Sequence, residues 1–411
     1  MNSAKRFIPA IVTISVLAAA CTSAPATTTP TSTSTTVQAH TTTTTEVTET
    51  TATTTPTTTE PLAETIATGD LPAELLDAVS VLMSWQRDDR NDQPPAPEAL
   101  LAHLREYPIV VGDEIEVTGT LAELENGAVA VVATQGGDVL LGADEGDGWR
   151  IVGAAPEGDP AWYGEEPRMV LVIGSDARPG EKQQTHRADS IHILTANPST
   201  GTATILGFPR DSYVSTPYGS MKFTSLMAGR GPQVMLDQVV SAWDLPVEGY
   251  VVTGFRGFEN LMGEIGRLPI DLPRALPAQP WWPGFRAGEQ KLSPQRTLEY
   301  SRTRKGVPGG DFTRSENQGR VMLAVLTLLQ MNDIVDTPEV VATLLDHTWT
   351  DLTPTDLIQL GAAIHTLDPS AIDNVVLPGS LGRAGAASVV RLDPEASDML
   401  ADLADDGLLS E

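Results

Sequence analysis

Residues 169–178, MVLVIGSDAR, decide the fold of this 411-residue chain. The five apolar residues at 169–173 predict a strand, and the polar residues that follow predict its end. Similar strands and helical patterns alternate through the rest of this part of the chain, which indicates a layered α/β domain. Such domains carry their functional groups at strand ends. We therefore expect Asp176 and Arg178 to lie at the edge of a central sheet.

A β-hairpin is predicted directly after this strand, because two apolar segments flank the turn at 198–201. If Asn197 pairs with Thr202, the antiparallel register places Asp189 directly opposite Arg210. This convergence of charge is either a site or an ion-pair network that only stabilises the fold. The charged residues gathered there are Arg187, Asp189, Arg210 and Asp211.

A second basic cluster follows about 90 residues later in the sequence. In an extended segment Tyr300, Arg302 and Arg304 face the same way. Two arginines side by side repel each other unless an anion lies between them. Arg314 and Gln318 are four residues apart and so share one face of a helix. The planar guanidinium group binds phosphate in a bidentate manner, so the cluster predicts a pyrophosphate site rather than only a solvated basic face.

The overall charge restricts the class of partner. The chain has 26 Lys and Arg against 54 Asp and Glu, a formal net charge of −28. Nucleic acid and anionic membrane surfaces both select clustered positive charge, so neither is expected as the main partner. Phosphate chemistry must therefore depend on the local basic cluster.

The N-terminus predicts a lipoprotein signal peptide at 1–21. Two basic residues precede an apolar run at 7–20, which is shorter than the roughly 20 residues that span a bilayer. The only cysteine, Cys21, follows three alanines and is the expected lipidation site. The alternative is an ordinary signal peptide in which Cys21 has no role.

Three further segments follow the signal peptide. Residues 22–66 are rich in Thr and Pro and predict a disordered linker. Residues 67–165 combine two helical patterns with four short strands and predict a small α+β accessory module. Residues 166–411 are predicted to form the main α/β domain. We find no internal sequence repeats.

Five sequence blocks resemble, in order, those of the LytR–CpsA–Psr family: 172–178, 187–191, 208–211, 300–304, and 311–314 with Gln318. The resemblance implies a three-layer α/β/α domain with a central mixed β-sheet. It also implies a Mg²⁺-dependent phosphotransferase that moves a glycan from a polyprenyl-pyrophosphate carrier to peptidoglycan through a phosphodiester bond. A lipid-anchored enzyme of this kind acts at the extracytoplasmic face of the bacterial cell membrane.

The family roles carry over to matching positions. Asp176 and Asp189 would hold Mg²⁺ against the pyrophosphate. The resemblance implies catalytic roles for Asp176, Arg187, Asp189, Arg210, Arg302 and Arg304. It implies substrate binding by Arg178, Asp211, Lys222, Asp311, Arg314 and Gln318. Family members also enclose the lipid in an apolar tunnel, for which the candidates here are Phe255, Phe258, Leu261, Met262, Val325 and Leu328.

The chain departs from the family pattern at a few positions. Asn317 stands where an arginine is usual, and Thr224 replaces an asparagine. Two alternative functions stay open. One is a polyprenyl-pyrophosphate phosphohydrolase that uses the same residues with water as the acceptor. The other is a non-catalytic module that binds lipid-linked wall precursors, which the residues at 317 and 224 favour.

Overall fold

A computed structural model of the chain describes residues 64–68, 70–88, 93–112, 114–279 and 282–409. The predicted signal peptide, with Cys21, lies outside the described residues, as does the predicted linker up to residue 63. The first described strand begins at Glu64, so residues 64–66 belong to a sheet rather than to the linker. They pair in parallel with residues 114–116, and the backbone hydrogen bonds of that pairing explain why they are ordered.

The first part of the structure is a five-stranded sheet with two helices. The apolar faces of both helices pack on one face of this sheet, where Leu75, Leu82, Leu100 and Leu104 are buried. The strands are β1 (Glu64–Thr68), β2 (Glu114–Leu124), β3 (Gly127–Thr134), β4 (Val139–Asp144) and β5 (Trp149–Ala155), in that order across the sheet, and the helices are α1 (Ala73–Asp88) and α2 (Glu98–Glu106).

The second part contains twelve described strands and seven described α-helices. Its strands are β6 (Arg168–Ser175), β7 (Ala188–Ala196), β8 (Ala203–Gly207), β9 (Tyr213–Val214), β10 (Met221–Lys222), β11 (Gly249–Thr253), β12 (Leu268–Leu272), β13 (Gly288–Leu292), β14 (Trp349–Thr350), β15 (Ile372–Val376), β16 (Gly379–Ala384) and β17 (Ala387–Leu392). Its helices are α3 (Gln233–Trp243), α4 (Phe255–Ile265), α5 (Pro294–Ser301), α6 (Asp311–Leu329), α7 (Thr337–Leu345), α8 (Pro354–Ala363) and α9 (Pro394–Asp406).

A mixed six-stranded sheet in the order β14–β11–β6–β7–β8–β15 forms the centre of this part. Alternate residues of β6 point to opposite faces. Leu171 packs in a core with Met235 of α3 and Leu400 of α9. Val170 packs on the other face with Ile358 of α8. The predicted three-layer α/β/α domain with a central mixed sheet is therefore confirmed.

The strand directions bring several strand ends to one edge of the sheet. β6 is antiparallel to β7, and β7 is antiparallel to β8, so the end of β6, the start of β7 and the end of β8 coincide. β11 runs parallel to β6, which adds its own end and the start of α4. Charged residues that were predicted to form the site follow or precede these strand ends.

The two sheets are joined by a shared core. Val131 of β3 and Val152 of β5 pack in one cluster with Leu357 and Ile358 of α8 and with Val170 of β6. The first sheet is thus covered on one face by its own helices and on the other by α7 and α8. None of the helices that the structure describes is long and apolar enough to cross a membrane.

Candidate active site

The loop after β6 and the loop before β7 are held together by paired backbone groups. The backbone N–H of Asp176 donates to the carbonyl oxygen of Arg187 at 2.9 Å. In return, Asp176 Oδ1 accepts a hydrogen bond from the backbone N–H of Arg187, also at 2.9 Å. The Asp176 side chain is therefore fixed at the edge of the sheet, while the Arg187 side chain is exposed.

A β-bulge sets the direction of Asp189. Gly174 pairs with Ser190 and Ser175 pairs with Ala188, so Asp189 is the extra residue of β7. Bulges redirect side chains and are frequent beside active sites. The bulge also explains why Ala188 is buried in the same core as Ile191, three residues away, which a regular strand would place on the opposite face.

Arg210 pairs with Asp189 across the hairpin, as the predicted register requires. The backbone of Asn197 forms a β-bridge with Thr202. At the other end of the two strands, Arg210 Nη1 donates a hydrogen bond to Asp189 Oδ1. Burial lowers the pKa of Arg210, but the nearby carboxylates of Asp189, Asp211 and Asp311 outweigh it and raise the pKa above its ordinary value. The sequence prediction that these two charges meet is confirmed.

Helix α6 brings three polar side chains under this pair. Arg314 Nη2 donates to Asp311 Oδ1 at 2.5 Å, and both side chains are largely buried. Gln318 Nε2 donates to the carbonyl oxygen of Asp189 at 3.3 Å, which ties the helix to the bulge. Burial lowers the pKa of Arg314, and the positive charges of Arg210 and Arg304 lower it further. The predicted helical face of Arg314 and Gln318 therefore meets the hairpin.

Close packing of α6 against the sheet depends on Gly207 at the end of β8. A Cβ atom at this position would collide with Ser315 Oγ and would lie 3.0 Å from His192 Nε2. Glycine therefore allows the helix to approach closely enough for Gln318 to reach Asp189.

A cavity of about 240 Å³, which we call the basic cavity, opens at this edge. Lys222 Nζ lies 3.1 Å from Asp211 Oδ2, which partly neutralises both groups. Within the described residues, Arg187 has no acidic partner, so its charge is available to an anion. The cavity is lined by Arg187, Arg210, Asp211, Lys222, Thr224 and Ser225.

The prediction that residues 300–304 form an extended segment is wrong. Residues 294–301 form α5, which starts at Pro294 after Ser293, whose Oγ accepts a hydrogen bond from the Arg296 N–H. Tyr300 lies inside the helix and is 1% exposed, so it does not share a face with Arg302 and Arg304. The sequence Ser-Pro at 293–294 is a helix-start signal that outweighs the β-propensity of the segment.

Arg302 and Arg304, which follow α5, are both exposed although the segment is not extended. The Arg302 guanidinium stacks over the ring of Phe255 with its carbon 4.1 Å from the ring centroid. Arg304 and Lys305 line a second cavity, which also contains Asp211 and Asp311. In the part of the chain that the structure describes, Arg304 and Lys305 have no acidic partner.

We expect Phe255→Leu to weaken binding of inorganic pyrophosphate about threefold to fivefold, because an exposed cation–π contact contributes about 0.5–1 kcal/mol. The ring of Phe255 restricts Arg302 to one position, and leucine lacks its π-face. Titration calorimetry would measure the loss. Phe255→Tyr is the matched control and should bind as the parent does. Equal affinity of the Leu variant and the parent would contradict this positioning role.

Several predicted site residues line neither of the two cavities: Asp176, Arg178, Asp189, Arg302, Arg314 and Gln318. Arg178 is exposed, and its backbone N–H donates to Glu181 Oε2 at 2.7 Å, but its side chain lines neither cavity. Asn317 is 3% exposed within α6 and also lines neither. Phe258, Val325 and Leu328, three of the tunnel candidates, pack around the β12–β13 hairpin.

His192 lies beneath the site and supports it structurally. Its Nε2 donates to the carbonyl oxygen of Ser315 at 3.1 Å, and its Nδ1 accepts from Ser190 Oγ at 3.1 Å. The side chain is completely buried, and this burial lowers its pKa from 6.5 to about 4. The imidazole is therefore neutral at physiological pH, and its hydrogen bond to Ser315 holds the N-terminal part of α6 against β7.

This burial predicts a loss of stability as the pH falls from about 6.5 to about 4. In that window the unfolded chain takes up a proton at His192 and the folded chain does not. A pKa difference of about 2.5 units corresponds to about 3 kcal/mol of unfolding free energy. Urea unfolding at several pH values would show that the unfolding free energy of His192→Gln falls less steeply with decreasing pH than that of the parent. For His103→Gln the fall should equal that of the parent. Identical slopes for His192→Gln and the parent would contradict the prediction.

The carboxylates fit a divalent metal ion that arrives with a phosphate ligand. Asp176 and Asp189 each use Oδ1 in a described hydrogen bond and keep Oδ2 free of described partners. Among the described residues, no group of three or more His, Cys, Asp or Glu side chains is arranged to hold a metal ion. Mg²⁺ is commonly bound by one or two carboxylates together with water and substrate phosphates. The donor set therefore suits Mg²⁺ with pyrophosphate and not a cage built by protein alone.

Comparison with known proteins identifies relatives of the main domain. The profile of the LytR_cpsA_psr family matches residues 157–404. The polyisoprenyl-teichoic acid–peptidoglycan teichoic acid transferase TagU of Bacillus subtilis is 31% identical over 164 residues, 39% of this chain and 52% of that protein. TagV of Bacillus subtilis, with the same description, is 23% identical over 245 residues, 57% of this chain and 62% of that protein. The chain thus spans about half the length of the first of these relatives.

Solved structures share the fold of this region. The crystal structure of B. subtilis TagV covers 60% of this chain and 98% of its own, with 22% identity and a TM-score of 0.52. The protein gbs0355 from Streptococcus agalactiae covers 60% of this chain and 90% of its own, with 20% identity and a TM-score of 0.51. These structures and this region of the chain therefore share a fold.

Proposed function

This chain belongs to the LytR–CpsA–Psr family, and we propose that it transfers a glycopolymer from a polyprenyl-pyrophosphate carrier to peptidoglycan through a phosphodiester bond. The observation that carries this proposal is the basic cavity. It collects arginines at one edge of the sheet in a protein whose formal net charge is −28. The curated relatives are named as teichoic acid transferases acting on peptidoglycan, which supports a transferase of the same class.

The residues of the two cavities suit a phosphoryl group in transfer. The acceptor hydroxyl forms a bond to the phosphorus that carries the glycan, while the P–O bond to the carrier breaks. Polyprenyl phosphate leaves with the electron pair, and the hydroxyl proton passes to it or to solvent. Fixed guanidinium groups stabilise the charge on the phosphate oxygens during this step. The groups assigned to this role are Arg187, Arg210 and Arg304, which line the cavities, and Arg302 and Arg314, which do not.

The bulged Asp189 and the fixed Asp176 are the residues assigned to hold Mg²⁺. When bound, the ion would neutralise part of the pyrophosphate charge. Arg210 keeps Asp189 Oδ1 in place, and Gln318 holds the backbone of the bulge. These two contacts fix Asp189 and leave its Oδ2 without a described partner, so this oxygen would be available to the ion.

We further propose that the enzyme acts at the extracytoplasmic face of the bacterial cell membrane. Lipidation of Cys21 would anchor it there, and residues 22–63 would separate the folded part from the bilayer. Labelling with a radioactive fatty acid, compared between the parent and Cys21→Ser, tests this anchor directly.

The function is tested with a radiolabelled polyprenyl-pyrophosphate-linked glycan and isolated peptidoglycan. We expect label to appear on the peptidoglycan with Mg²⁺ present and not with a chelator. Release of label without an acceptor would favour the phosphohydrolase. Tight donor binding without turnover, unaffected by the chelator, would leave a binding module. Either result would reject the transferase.

A further inference from the structure

We infer that the second cavity is the subsite for the acceptor sugar and that the β16–β17 hairpin forms its outer wall. This inference rests on the proposed function, which requires an acceptor next to the phosphate. The cavity has a volume of about 260 Å³. Arg304, Lys305 and Asp311 line one side, and Leu381 and Ser388 of the hairpin line the other.

The hairpin is attached directly to the candidate active site. The backbone N–H of Val390 donates to the carbonyl oxygen of Asp211 at 2.9 Å, and Val390 bridges in parallel to Ser212. The guanidinium of Arg391 lies 5.8 Å from the ring centroid of Tyr213. Asp211 also lines the basic cavity, so a ligand in the second cavity would lie beside a phosphate bound in the first.

The strand register places the relevant side chains on one face of the hairpin. Leu381 is opposite Val390, and Arg383 is opposite Ser388. Directly opposite residues of an antiparallel pair share a face. Residues two apart along one strand also share a face, so Leu381 and Ser388 lie on the same face of the hairpin. Val390 is 1% exposed, whereas Leu381 is 78% exposed. The hairpin thus presents an exposed leucine side chain and a hydroxyl to the cavity, beside the buried Val389 and Val390, which also line it.

This lining suits a sugar ring better than the other parts of the substrate. A pyrophosphate favours cations around it, but here the cations Arg304 and Lys305 are on one side only. A prenyl chain favours an enclosed apolar channel, whereas Leu381 and Ser388 are exposed. A sugar ring presents hydroxyls together with an apolar C–H face, which matches a wall of leucine, valine and serine side chains. The volume is slightly below the roughly 300–1,000 Å³ of drug-sized ligand sites, so it accommodates about one ring.

The test measures binding of a soluble disaccharide fragment of peptidoglycan to the full chain by titration calorimetry. We expect Leu381→Ser to weaken binding about fivefold, which corresponds to about 1 kcal/mol. Ala387→Ser is the matched control, because Ala387 is exposed, lines neither cavity and points away from Leu381 on the same hairpin. Binding of inorganic pyrophosphate should be the same in the parent and both variants.

The outcomes separate this inference from the proposed function. If Leu381→Ser binds the fragment as the parent does, or if the parent does not bind it, the subsite is rejected, whatever the transfer assay shows. If binding depends on Leu381 but the parent transfers no glycan, the subsite stands and the transferase is rejected. Equal losses for Leu381→Ser and Ala387→Ser would indicate a general disturbance of the hairpin and would also reject the subsite.

Discussion

Replacement of Arg210 by alanine is expected to reduce glycopolymer transfer by about 10³-fold, the scale of losing a charged group that stabilises a transferring phosphate. Arg210 has a double role. It lines the basic cavity, and it holds the carboxylate of Asp189 in the bulge. Its removal also leaves the carboxylates of Asp189, Asp211 and Asp311 without the cation that they share.

Rates with labelled donor at saturating acceptor would measure this loss. Arg210→Lys retains the charge but not the planar fork, so a smaller loss is expected. Arg150→Ala removes an exposed arginine from β5, away from the cavity, and should transfer at the parental rate. Urea unfolding of each variant would separate loss of chemistry from loss of fold. A folded Arg210→Ala protein with more than a tenth of the parental rate would contradict the assignment.

The largest expected effect on stability comes from Glu248. Arg168 at the start of β6 is 3% exposed, and its Nε and Nη2 donate to the two carboxylate oxygens of Glu248 at 2.7 and 2.5 Å. Glu248→Ala leaves a buried guanidinium without its main counter-charge. The unfolding free energy should therefore fall by about 3–5 kcal/mol.

An exposed ion pair supplies the control for this experiment. Arg105 and Glu98 on α2 lie 3.1 Å apart, but their side chains are 55% and 68% exposed. Solvent screens such pairs, so Glu98→Ala should lower the unfolding free energy by less than about 1 kcal/mol. Chemical unfolding of both variants at pH 7 gives the comparison. A Glu248→Ala protein as stable as Glu98→Ala would show that Gln359, the carbonyl of Tyr163 and Asp356 alone satisfy Arg168.

The hairpin register could be predicted from sequence because it depends on local turn chemistry. The turn at 198–201 determines which residues pair, and Asp189 and Arg210 then meet at the far end of the two strands. The bulge at Asp189 could not be predicted in this way. It depends on how β6, β7 and α6 pack, with Gln318 and the core around Ala188 both involved.

Three other features were missed for different reasons. The β12–β13 hairpin has a clear apolar alternation at Leu268, Ile270 and Leu272, so a signal was present. The β16–β17 hairpin is rich in Gly and Ala and lacks an apolar alternation along both strands. Its position beside Asp211 results from the bridge between Val390 and Ser212, which no local pattern predicts. The role of Phe255 under Arg302 was missed because the two residues are far apart in sequence.

The core shared by the two sheets has a consequence for how the chain can be shortened. A protein that began at residue 166 would lack the strands that cover Leu357 and Ile358 of α8. That surface would then be open to water and to other copies, and contiguous apolar patches of this kind promote self-association. The five-stranded sheet β1–β5 therefore covers the LytR–CpsA–Psr domain, and its loss should produce aggregates rather than a smaller stable protein.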